Sequence, residues 1–507
     1  MKLSPAGCTV ILLSGILLTA CVRPAPNTQP WQAEQAATLP AALGGQGAQA
    51  LIPTQRPADV AYLTPTPDAA HVLPTLRTNS AQYVVQSGDS LASIASTYNL
   101  DVNTLAAANS ISASGWLQVG QVLAIPALIP SVQPSDFKII PDSELVNGPV
   151  SSTLDIAAFI QNQGGYLSHY TQIVDETEMS GSTIISTLSA EYSVSPRLLL
   201  ALLEYQSGWL TQTNIGEQAV TYPMGLVDTN YQGLYLQVSW AANQLNRGFY
   251  LWQVGALAST PLADGNLVTF PATLNAGAVA IQRLLALVKN KGDWSNAVSE
   301  NGFYATFSKS FGIPFDLAVE PLLPANLSQP AMQLPFESGQ AWSFTGGPHS
   351  AWGTGSAWAA LDFAPPADTY GCYSTDVWEV AVADGLIVRS ENGEVVEDLD
   401  GDGLEQTGWT VLYMHVESRN RVAVGTSVKA GDRIGHPSCE GGFSNGTHLH
   451  LARRYNGEWI AADGNLPFVL DGWTSQGSGV EYDGILARGG QTITAWDGRI
   501  DENQIQR

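Results

Sequence analysis

The sequence predicts a multidomain protein with a small α+β module, a mostly α-helical middle domain and a C-terminal antiparallel β domain. Its 507 residues exceed what one hydrophobic core usually serves. Helical periodicity dominates the middle of the chain, whereas beyond residue 340 short alternating strands are broken by Gly, Asn, Asp and Pro. Hydrophobic residues make up 45% of the chain, which supplies enough apolar material for real cores and excludes wholesale disorder.

The charge balance excludes one class of partner. Lys and Arg number 21 against 45 Asp and Glu, a formal net charge of −24. Such a chain repels phosphate backbones rather than releasing their counterions. We therefore expect no nucleic acid partner.

The amino terminus predicts export. Lys2 precedes an apolar stretch from Val10 to Leu18, and Leu18-Thr19-Ala20 places small residues before Cys21. A membrane-spanning anchor is the alternative, but the stretch falls short of the roughly 20 apolar residues that a spanning helix needs. Residues 1–20 are thus predicted to be a signal peptide. The pattern resembles the bacterial lipobox, which implies that Cys21 is lipidated and tethers the exported chain to the cell envelope membrane.

A flexible tether is predicted over residues 21–80, because the segment from Val22 is rich in Pro, Ala, Thr and Gln and shows no periodicity. With Cys21 lipidated and Cys8 discarded, Cys372 and Cys439 remain as an even pair in an exported chain. They are the disulfide candidate. Two buried free thiols are the alternative.

The small α+β module covers residues 81–127. Strand alternation at Tyr83-Val84-Val85, a turn at Gly88-Asp89-Ser90 and two helical segments predict the order strand, helix, helix, strand. The residues YVVQSGDSLASIASTYNLDVNTLAAAN and LQVGQVLAIP resemble the LysM module. That resemblance implies binding to glycans that contain N-acetylglucosamine, with peptidoglycan as the expected partner.

The middle domain is predicted over residues 136–328. A proline begins an almost wholly apolar helix at Pro196, and a second such helix covers residues 276–288. The segment LLALLEYQSGW faintly resembles the lysozyme-like fold of lytic transglycosylases. Gln206 then occupies the position of the family's catalytic glutamate, and an amide cannot protonate a glycosidic oxygen. Glu204 lies about 200° around the helix from it. We expect a lysozyme-like domain without catalytic activity.

Histidines concentrate in the C-terminal domain, and their spacing predicts a metal site. In Thr447-His448-Leu449-His450-Leu451 alternation places both imidazoles on one strand face, and His415 shares a face with Val411 and Tyr413. Asp362 sits in an apolar strand, where an unpaired carboxylate would cost several kcal/mol. Zinc takes histidine nitrogen and carboxylate oxygen, and catalytic sites keep three protein ligands plus water.

These residues, with GGPHSAWGTGSAWAALDFAPP, TVLYMHV and SNGTHLHLARR, resemble the M23 peptidases, the lysostaphin-like zinc endopeptidases. The resemblance implies a peptidase domain over residues 341–472, followed by a C-terminal extension over 473–507. It implies that Zn²⁺ is held by His349, Asp362 and His450, and that His415 and His448 are catalytic. The family usually has three residues between the first histidine and the aspartate, whereas twelve separate them here. A hairpin or loop insertion is expected to return Asp362 to the metal.

A second cation is a further prediction. Asp398, Asp400 and Asp402 resemble the start of a calcium loop, although Trp409 stands where such a loop places its bidentate glutamate. An acidic hairpin turn is the alternative to Ca²⁺ binding.

The features together predict a lipid-anchored cell-wall zinc endopeptidase that faces the wall and hydrolyses peptide bonds in peptidoglycan stem peptides or crossbridges. The alternative is a non-catalytic wall-binding lipoprotein that regulates cell-wall hydrolases. Bound zinc and released peptide amines separate the two. A third hypothesis, glycan cleavage by the helical domain, predicts new reducing ends instead.

Overall fold

The computed structural model describes residues 73–507, apart from 87, 99, 101 and 114–116. The predicted signal peptide, Cys21 and most of the predicted tether lie outside the described residues. In the part of the chain that is described, no helix combines the length and the apolar character needed to cross a membrane.

The LysM-like module has the predicted order of strand, helix, helix and strand. Asn109 follows the second helix and closes the module: its side chain donates to the Leu105 and Ala124 carbonyls and accepts from the Ala124 N–H. The two strands pair antiparallel. The four elements are β1 (Ala81–Val84), α1 (Leu91–Thr97), α2 (Val102–Ala108) and β2 (Val122–Ile125).

The middle domain is mostly helical, as predicted, with two short hairpins. The first hairpin is β3 (Thr171–Val174) with β4 (Thr177–Ser180), and the second is β5 (Ser259–Pro261) with β6 (Leu267–Thr269). The helices are α3 (Ile156–Gln163), α4 (Gly181–Tyr192), α5 (Pro196–Ser207), α6 (Glu217–Thr221), α7 (Leu234–Gln253), α8 (Ala276–Val288), α9 (Lys291–Ala297) and α10 (Phe303–Phe311).

Helix α5 lies at the centre of this domain, and its sequence explains both its ends and its burial. Ser195 caps it by accepting the Leu198 N–H, Pro196 occupies the first turn, and Gly208 ends it in the left-handed region at φ 70°. All residues from Leu198 to Leu203 are fully buried. A helix that is apolar all round needs neighbours on every side, and the surrounding helices supply them.

The C-terminal domain is built on an antiparallel sheet in the order β13-β10-β11-β12-β15-β8-β7-β21, with β16 beside β15. Strands β17 to β20 form a second sheet, and β9 pairs with β14. The strands are β7 (Ala341–His349), β8 (Ala360–Ala364), β9 (Glu379–Val380), β10 (Gly385–Glu391), β11 (Glu394–Asp398), β12 (Trp409–Met414), β13 (Ser427–Val428), β14 (Arg433–Gly435), β15 (Leu449–Tyr455), β16 (Glu458–Trp459), β17 (Val469–Leu470), β18 (Trp473–Gly477), β19 (Gly484–Arg488), β20 (Gln491–Thr494) and β21 (Gln504–Gln506).

The C-terminal extension is part of this architecture. Strands β18 to β20 belong to the second sheet, and β21 pairs with β7 at the edge of the main sheet, with Ile505 opposite Trp342. Ile505 is fully buried in the same core as Phe363 and Leu451. Residues 473–507 therefore complete the core of the β domain.

The helical domain packs on one face of the main sheet. Val396, Leu412 and Ala452 of the sheet share a hydrophobic core with the buried helices. Polar contacts reinforce the junction: Ser193 Oγ donates to the Gly457 carbonyl oxygen at 2.6 Å, and the Trp459 N–H donates to Tyr250 Oη at 2.9 Å.

Candidate metal centre

Four neighbouring strands bring the predicted site residues together. Strands β12, β15, β8 and β7 are adjacent in the main sheet. The register places His450 directly opposite Asp362 on one side and opposite Met414 on the other. His349, the last residue of β7, pairs with Ala360. Residues 350–359 form a loop between β7 and β8, so the twelve-residue separation still returns Asp362 to the site.

Three ligand atoms converge at this point. His349 Nε2 lies 3.2 Å from Asp362 Oδ1, His450 Nδ1 lies 3.2 Å from the same oxygen, and the two nitrogen atoms are 3.0 Å apart. Ligands held at about 2.0–2.1 Å around a tetrahedral zinc ion are themselves separated by roughly 3.3 Å. The triangle formed by these three atoms has sides of about that length, and its corners are the nitrogen and oxygen donors that zinc takes.

Hydrogen bonds to backbone carbonyl groups fix the tautomer and the orientation of the His349 and His450 imidazoles. His349 Nδ1 lies 2.8 Å from the Gly347 oxygen, and His450 Nε2 lies 3.0 Å from the Ala351 oxygen. A carbonyl oxygen only accepts, so each of these ring nitrogens carries the proton. The opposite nitrogens, which face Asp362, therefore present lone pairs in the neutral rings. Two lone pairs and a carboxylate oxygen within 3.2 Å of one another form a set of donor atoms suited to holding a metal ion.

The pKa values of these three residues are set by their burial and by their contacts with one another. Burial alone would raise the pKa of Asp362, but the neighbouring His349 and His448 hold it well below its ordinary value. Burial lowers the pKa of His450, and the nearby carboxylate only partly offsets this. Burial acts in the same direction on His349, but there Asp362 outweighs it and raises the pKa.

His415 and His448 lie side by side next to these ligands, with ring centroids 4.6 Å apart. His415 Nδ1 donates to the Glu440 carbonyl oxygen at 3.0 Å, and His448 Nδ1 donates to that of Gly446 at 2.7 Å. Their Nε2 atoms are not used in these bonds, and His448 Nε2 lies 3.7 Å from Asp362 Oδ1. Burial and the neighbouring His448 and His450 lower the pKa of His415 to about 3, so its ring is neutral at physiological pH.

The predicted strand faces differ in detail from the structure. Strand β12 ends at Met414, and His415 follows in the left-handed region at φ 70°, so its ring does not continue the face of Val411 and Tyr413. His448 precedes the first residue of β15 rather than lying within it. Both catalytic candidates are therefore held at strand ends, where loop residues orient them.

The predicted disulfide between Cys372 and Cys439 is confirmed, with the two Cα atoms 5.8 Å apart. Glu440, next to Cys439, supplies the carbonyl oxygen that orients His415. On the other side, Gly371 accepts the N–H of Thr447, the residue before His448. The disulfide thus joins the two loops that hold the catalytic candidates.

The C-terminal extension contributes residues that the sequence did not reveal. The Tyr482 ring stacks on the His349 imidazole with centroids 4.3 Å apart and planes 19° from parallel. Backbone hydrogen bonds join Gly347 N–H to the Tyr482 oxygen and Tyr482 N–H to the Pro348 oxygen. Glu481 accepts from the Ser350 N–H and hydroxyl group. No local pattern marks these residues, because their role depends on a tertiary contact between distant strands.

The three aspartates of the predicted calcium loop also lie close together in the structure. Asp398, Asp400 and Asp402 each offer an oxygen within 4.8 Å of the others. Asp398 already accepts three backbone N–H groups, those of Asp400, Gly401 and Gly403, at 2.9–3.2 Å. These bonds are typical of an acidic turn, and calcium binding stays a prediction.

Gln206 and Glu204, near the end of α5, both accept hydrogen bonds from neighbouring residues. Gln206 Oε1 accepts from Lys289 Nζ at 2.9 Å. Glu204 accepts the N–H groups of Leu210 and Thr211 at 2.9 and 3.2 Å, so its carboxylate holds the segment after the helix.

Three protein-family models match parts of this chain. The LysM domain matches residues 83–126, and peptidase family M23 matches residues 369–462. The family described as LasA, N-terminal domain, matches residues 138–325. The predicted lysozyme-like fold of the middle domain is therefore wrong. The leucine-rich run around Leu200 reflects the apolar surroundings that any central helix needs, and it is not specific to that fold.

Two curated relatives are Protease LasA from Pseudomonas aeruginosa strains PAO1 and UCBPP-PA14. Each is 29% identical, over 299 and 300 residues, which is 54% of this chain. The chain spans 66% of the length of these relatives.

Solved structures give similar matches. The M23 metalloprotease pseudoalterin from the deep sea is 25% identical, covering 34% of this chain and 97% of its own, with a TM-score of 0.28. A zinc-containing peptidase from Vibrio cholerae is 20% identical, and the match covers 29% of this chain and 40% of that peptidase, with a TM-score of 0.17. The family matches, rather than these low TM-scores, support the conclusion that the chain carries a LysM domain followed by a domain of the M23 metallopeptidases.

Proposed function

We propose that the protein is an exported, lipid-anchored zinc endopeptidase that hydrolyses peptide bonds in peptidoglycan stem peptides or crossbridges. The observation that carries the proposal is the convergence of two oriented imidazoles on one carboxylate. His349 Nε2, His450 Nδ1 and Asp362 Oδ1 lie 3.0–3.2 Å from one another. The similarity to Protease LasA and the match to family M23 support the same activity.

His349, Asp362 and His450 would hold the metal ion, because their donor atoms match zinc in type and spacing. Bound zinc supplies a Lewis acid that polarises a carbonyl group and makes water more acidic. Because only three residues would hold the ion, it would remain accessible to water or substrate. The chain's own task is to keep these ligands rigid, and the Gly347 and Ala351 carbonyl groups do so by fixing both imidazole tautomers.

His415 and His448 would perform the proton chemistry. The neutral His415 ring carries its proton on Nδ1, so its Nε2 lone pair is available to accept a hydrogen bond from water and orient it. His448 lies beside it, with Nε2 directed to the same site. Between them the two side chains move the proton of the attacking water to the leaving amine and hydrogen-bond the developing oxyanion.

The LysM domain would hold the peptidase on the glycan while the C-terminal domain cuts the peptide. The net charge of −24 argues against electrostatic attraction to an anionic wall polymer. Recognition of the wall would therefore depend on hydrogen bonds and stacking. Lipidation of Cys21 would keep the protein within reach of the wall.

Two histidine substitutions test the proposal. His450→Ala should abolish zinc binding and hydrolysis, because it removes a ligand. His415→Ala should keep the zinc and lower turnover by about 10²–10⁴-fold, the usual contribution of a general acid or base. Zinc content is measured by atomic spectroscopy and hydrolysis by the appearance of new amines on crosslinked peptidoglycan, with mass spectrometry identifying the bond.

His169→Ala is the matched control, since His169 is exposed in the helical domain. It should change neither zinc content nor turnover. Full turnover by the His450→Ala variant would end the proposal. Zinc binding by the wild-type protein without any peptide release would favour the regulatory wall-binding lipoprotein.

A further inference from the structure

The loop between β7 and β8, residues 350–359, packs against the helical domain. We call these residues the ligand loop. Asn243, on α7, accepts the N–H groups of Thr354 and Gly355 on Oδ1 at 3.0 and 2.8 Å. Its Nδ2 donates to Thr354 Oγ1 at 3.0 Å. The amide thus makes three hydrogen bonds to two consecutive residues of another domain.

The loop approaches α7 so closely that glycine is required. A Cβ atom on Gly355 would lie 2.0 Å from the Asn243 carbonyl oxygen, and one on Gly353 would lie 2.7 Å from Asn243 Oδ1. Gly353 also has φ 62°, where glycine is favoured. Trp352 adds an edge-on aromatic contact with Tyr192 of the helical domain. The tip of the loop is therefore shaped to fit this helix.

The same loop holds a metal ligand at its other end. The Ala351 carbonyl oxygen accepts from His450 Nε2 at 3.0 Å, which directs Nδ1 towards Asp362. Within the loop, Ala351 N–H donates to the Ala357 oxygen, and Trp352 N–H donates to Ser356 Oγ. These bonds connect the tip of the loop, which Asn243 holds, to the carbonyl group that orients His450.

We propose that Asn243 is a positioning residue for the metal centre: by holding the tip of the ligand loop it keeps the Ala351 carbonyl group in place and thereby fixes the tautomer and orientation of His450. The inference rests on the proposed role of His450 as a zinc ligand. The inference also explains the twelve-residue separation of His349 and Asp362, because the extra residues form the part of the loop that reaches the helical domain. Metal affinity then depends on contact between the two domains.

The expected effect is set by what outer partners of metal ligands contribute. Loss of a group that hydrogen-bonds a ligand usually lowers metal affinity by 10–100-fold. Asn243 acts one step further away, through the loop, so we expect Asn243→Ala to lower zinc affinity by about tenfold. Asn243→Asp keeps the oxygen that accepts from Thr354 and Gly355, and it should retain most of the affinity.

The test uses the full chain and two metal readouts. Zinc affinity is measured by competition with a chromophoric chelator, and Co²⁺ is substituted so that its visible absorption reports the coordination geometry. Gln244→Ala is the matched control: this neighbouring amide contacts Arg283 within the helical domain. Asn243→Ala should weaken zinc binding and alter the Co²⁺ spectrum, while Gln244→Ala changes neither. Thermal unfolding of each variant shows whether the folds are equally stable.

The outcomes separate this inference from the proposed function. Equal zinc affinities and Co²⁺ spectra for Asn243→Ala and Gln244→Ala would overturn the positioning role. If Asn243→Ala does not fold, Asn243→Gln displaces the same amide by one methylene group and is judged by the same readouts. A wild-type protein that binds zinc through His450 but releases no peptide would refute the peptidase proposal alone. If His450→Ala binds zinc as well as wild type, the premise that both proposals share fails.

Discussion

Glu397 gives the sharpest stability prediction, because it is a carboxylic acid buried in the core of the β domain. Glu397 lies in β11 and is fully buried. Oε2 accepts from the Tyr413 hydroxyl group at 2.5 Å, whereas Oε1 has no hydrogen-bond partner among the described residues. Burial raises the pKa of Glu397 to about 8, and the hydrogen bond from Tyr413 only partly opposes this. The folded protein therefore holds this side chain in its neutral form at pH 7.

The sign of the pH dependence follows from proton uptake. In the unfolded chain Glu397 ionises near its ordinary pKa of 4.5, but in the folded protein it stays protonated up to about pH 8. Its contribution to stability is thus greatest below pH 4.5, declines as pH rises to about 8 and is constant above that. The difference between the pKa of Glu397 in the folded and the unfolded protein corresponds to roughly 5 kcal/mol of stability, at about 1.4 kcal/mol for each pH unit.

Glu397→Gln removes this titration and keeps the size of the side chain and an acceptor for Tyr413. The free energy of unfolding is measured by urea titration with tryptophan fluorescence, from about pH 5 to pH 9, for the variant and the wild type. The difference should grow with pH in favour of the variant and reach a few kcal/mol. Exposed Glu502→Gln is the control and should show no such trend. A difference that is constant across the pH range would refute the reasoning.

Three further outcomes are expected. Replacing both Cys372 and Cys439 with Ser should lower the free energy of unfolding by about 4 kcal/mol, because the disulfide closes a loop with a sequence separation of 67; equal urea midpoints would contradict this. Cys21→Ser should move the protein from the membrane fraction to the soluble fraction, and unchanged fractionation would exclude lipidation at that residue. A protease site inserted at the exposed residues 325–326 should yield two fragments that copurify, since the domains share a core; separation on gel filtration would contradict the shared core.

Local sequence patterns correctly predicted the elements that form through interactions within one segment of the chain. Proline at the start and an apolar run predicted α5 correctly, because caps and periodicity act within one helix. Residues 276–288 were likewise predicted as a helix, and the structure has α8 over the same span. The pair His448 and His450 and the isolated Asp362 predicted a shared site. The register of β15 with β8 places His450 opposite Asp362, and His448 Nε2 lies 3.7 Å from the same carboxylate.

Tertiary contacts account for what the sequence could not show. The left-handed backbone of His415 depends on the loops around it, and its preceding strand gives no sign of it. Tyr482 reaches His349 only because β19 and β7 come together in space. Asn243 looks like any polar residue of an amphipathic helix until the ligand loop is packed against it. The mistaken lysozyme-like fold has a similar origin, since the run at Leu200 specifies burial and no particular topology.

The helical domain packs on the face of the sheet that carries His450 and Asp362. Residues two apart on a strand share a face, so His450 lies on the side of Ala452, and Asp362 on the side of Ala360. Both alanines are fully buried in the core shared with the helices. Their small side chains let the helical domain come close to the sheet immediately beside His450 and Asp362. A molecule that reaches Asp362 and His450 must therefore approach along the uncovered part of this face, and the helical domain forms one border of that approach.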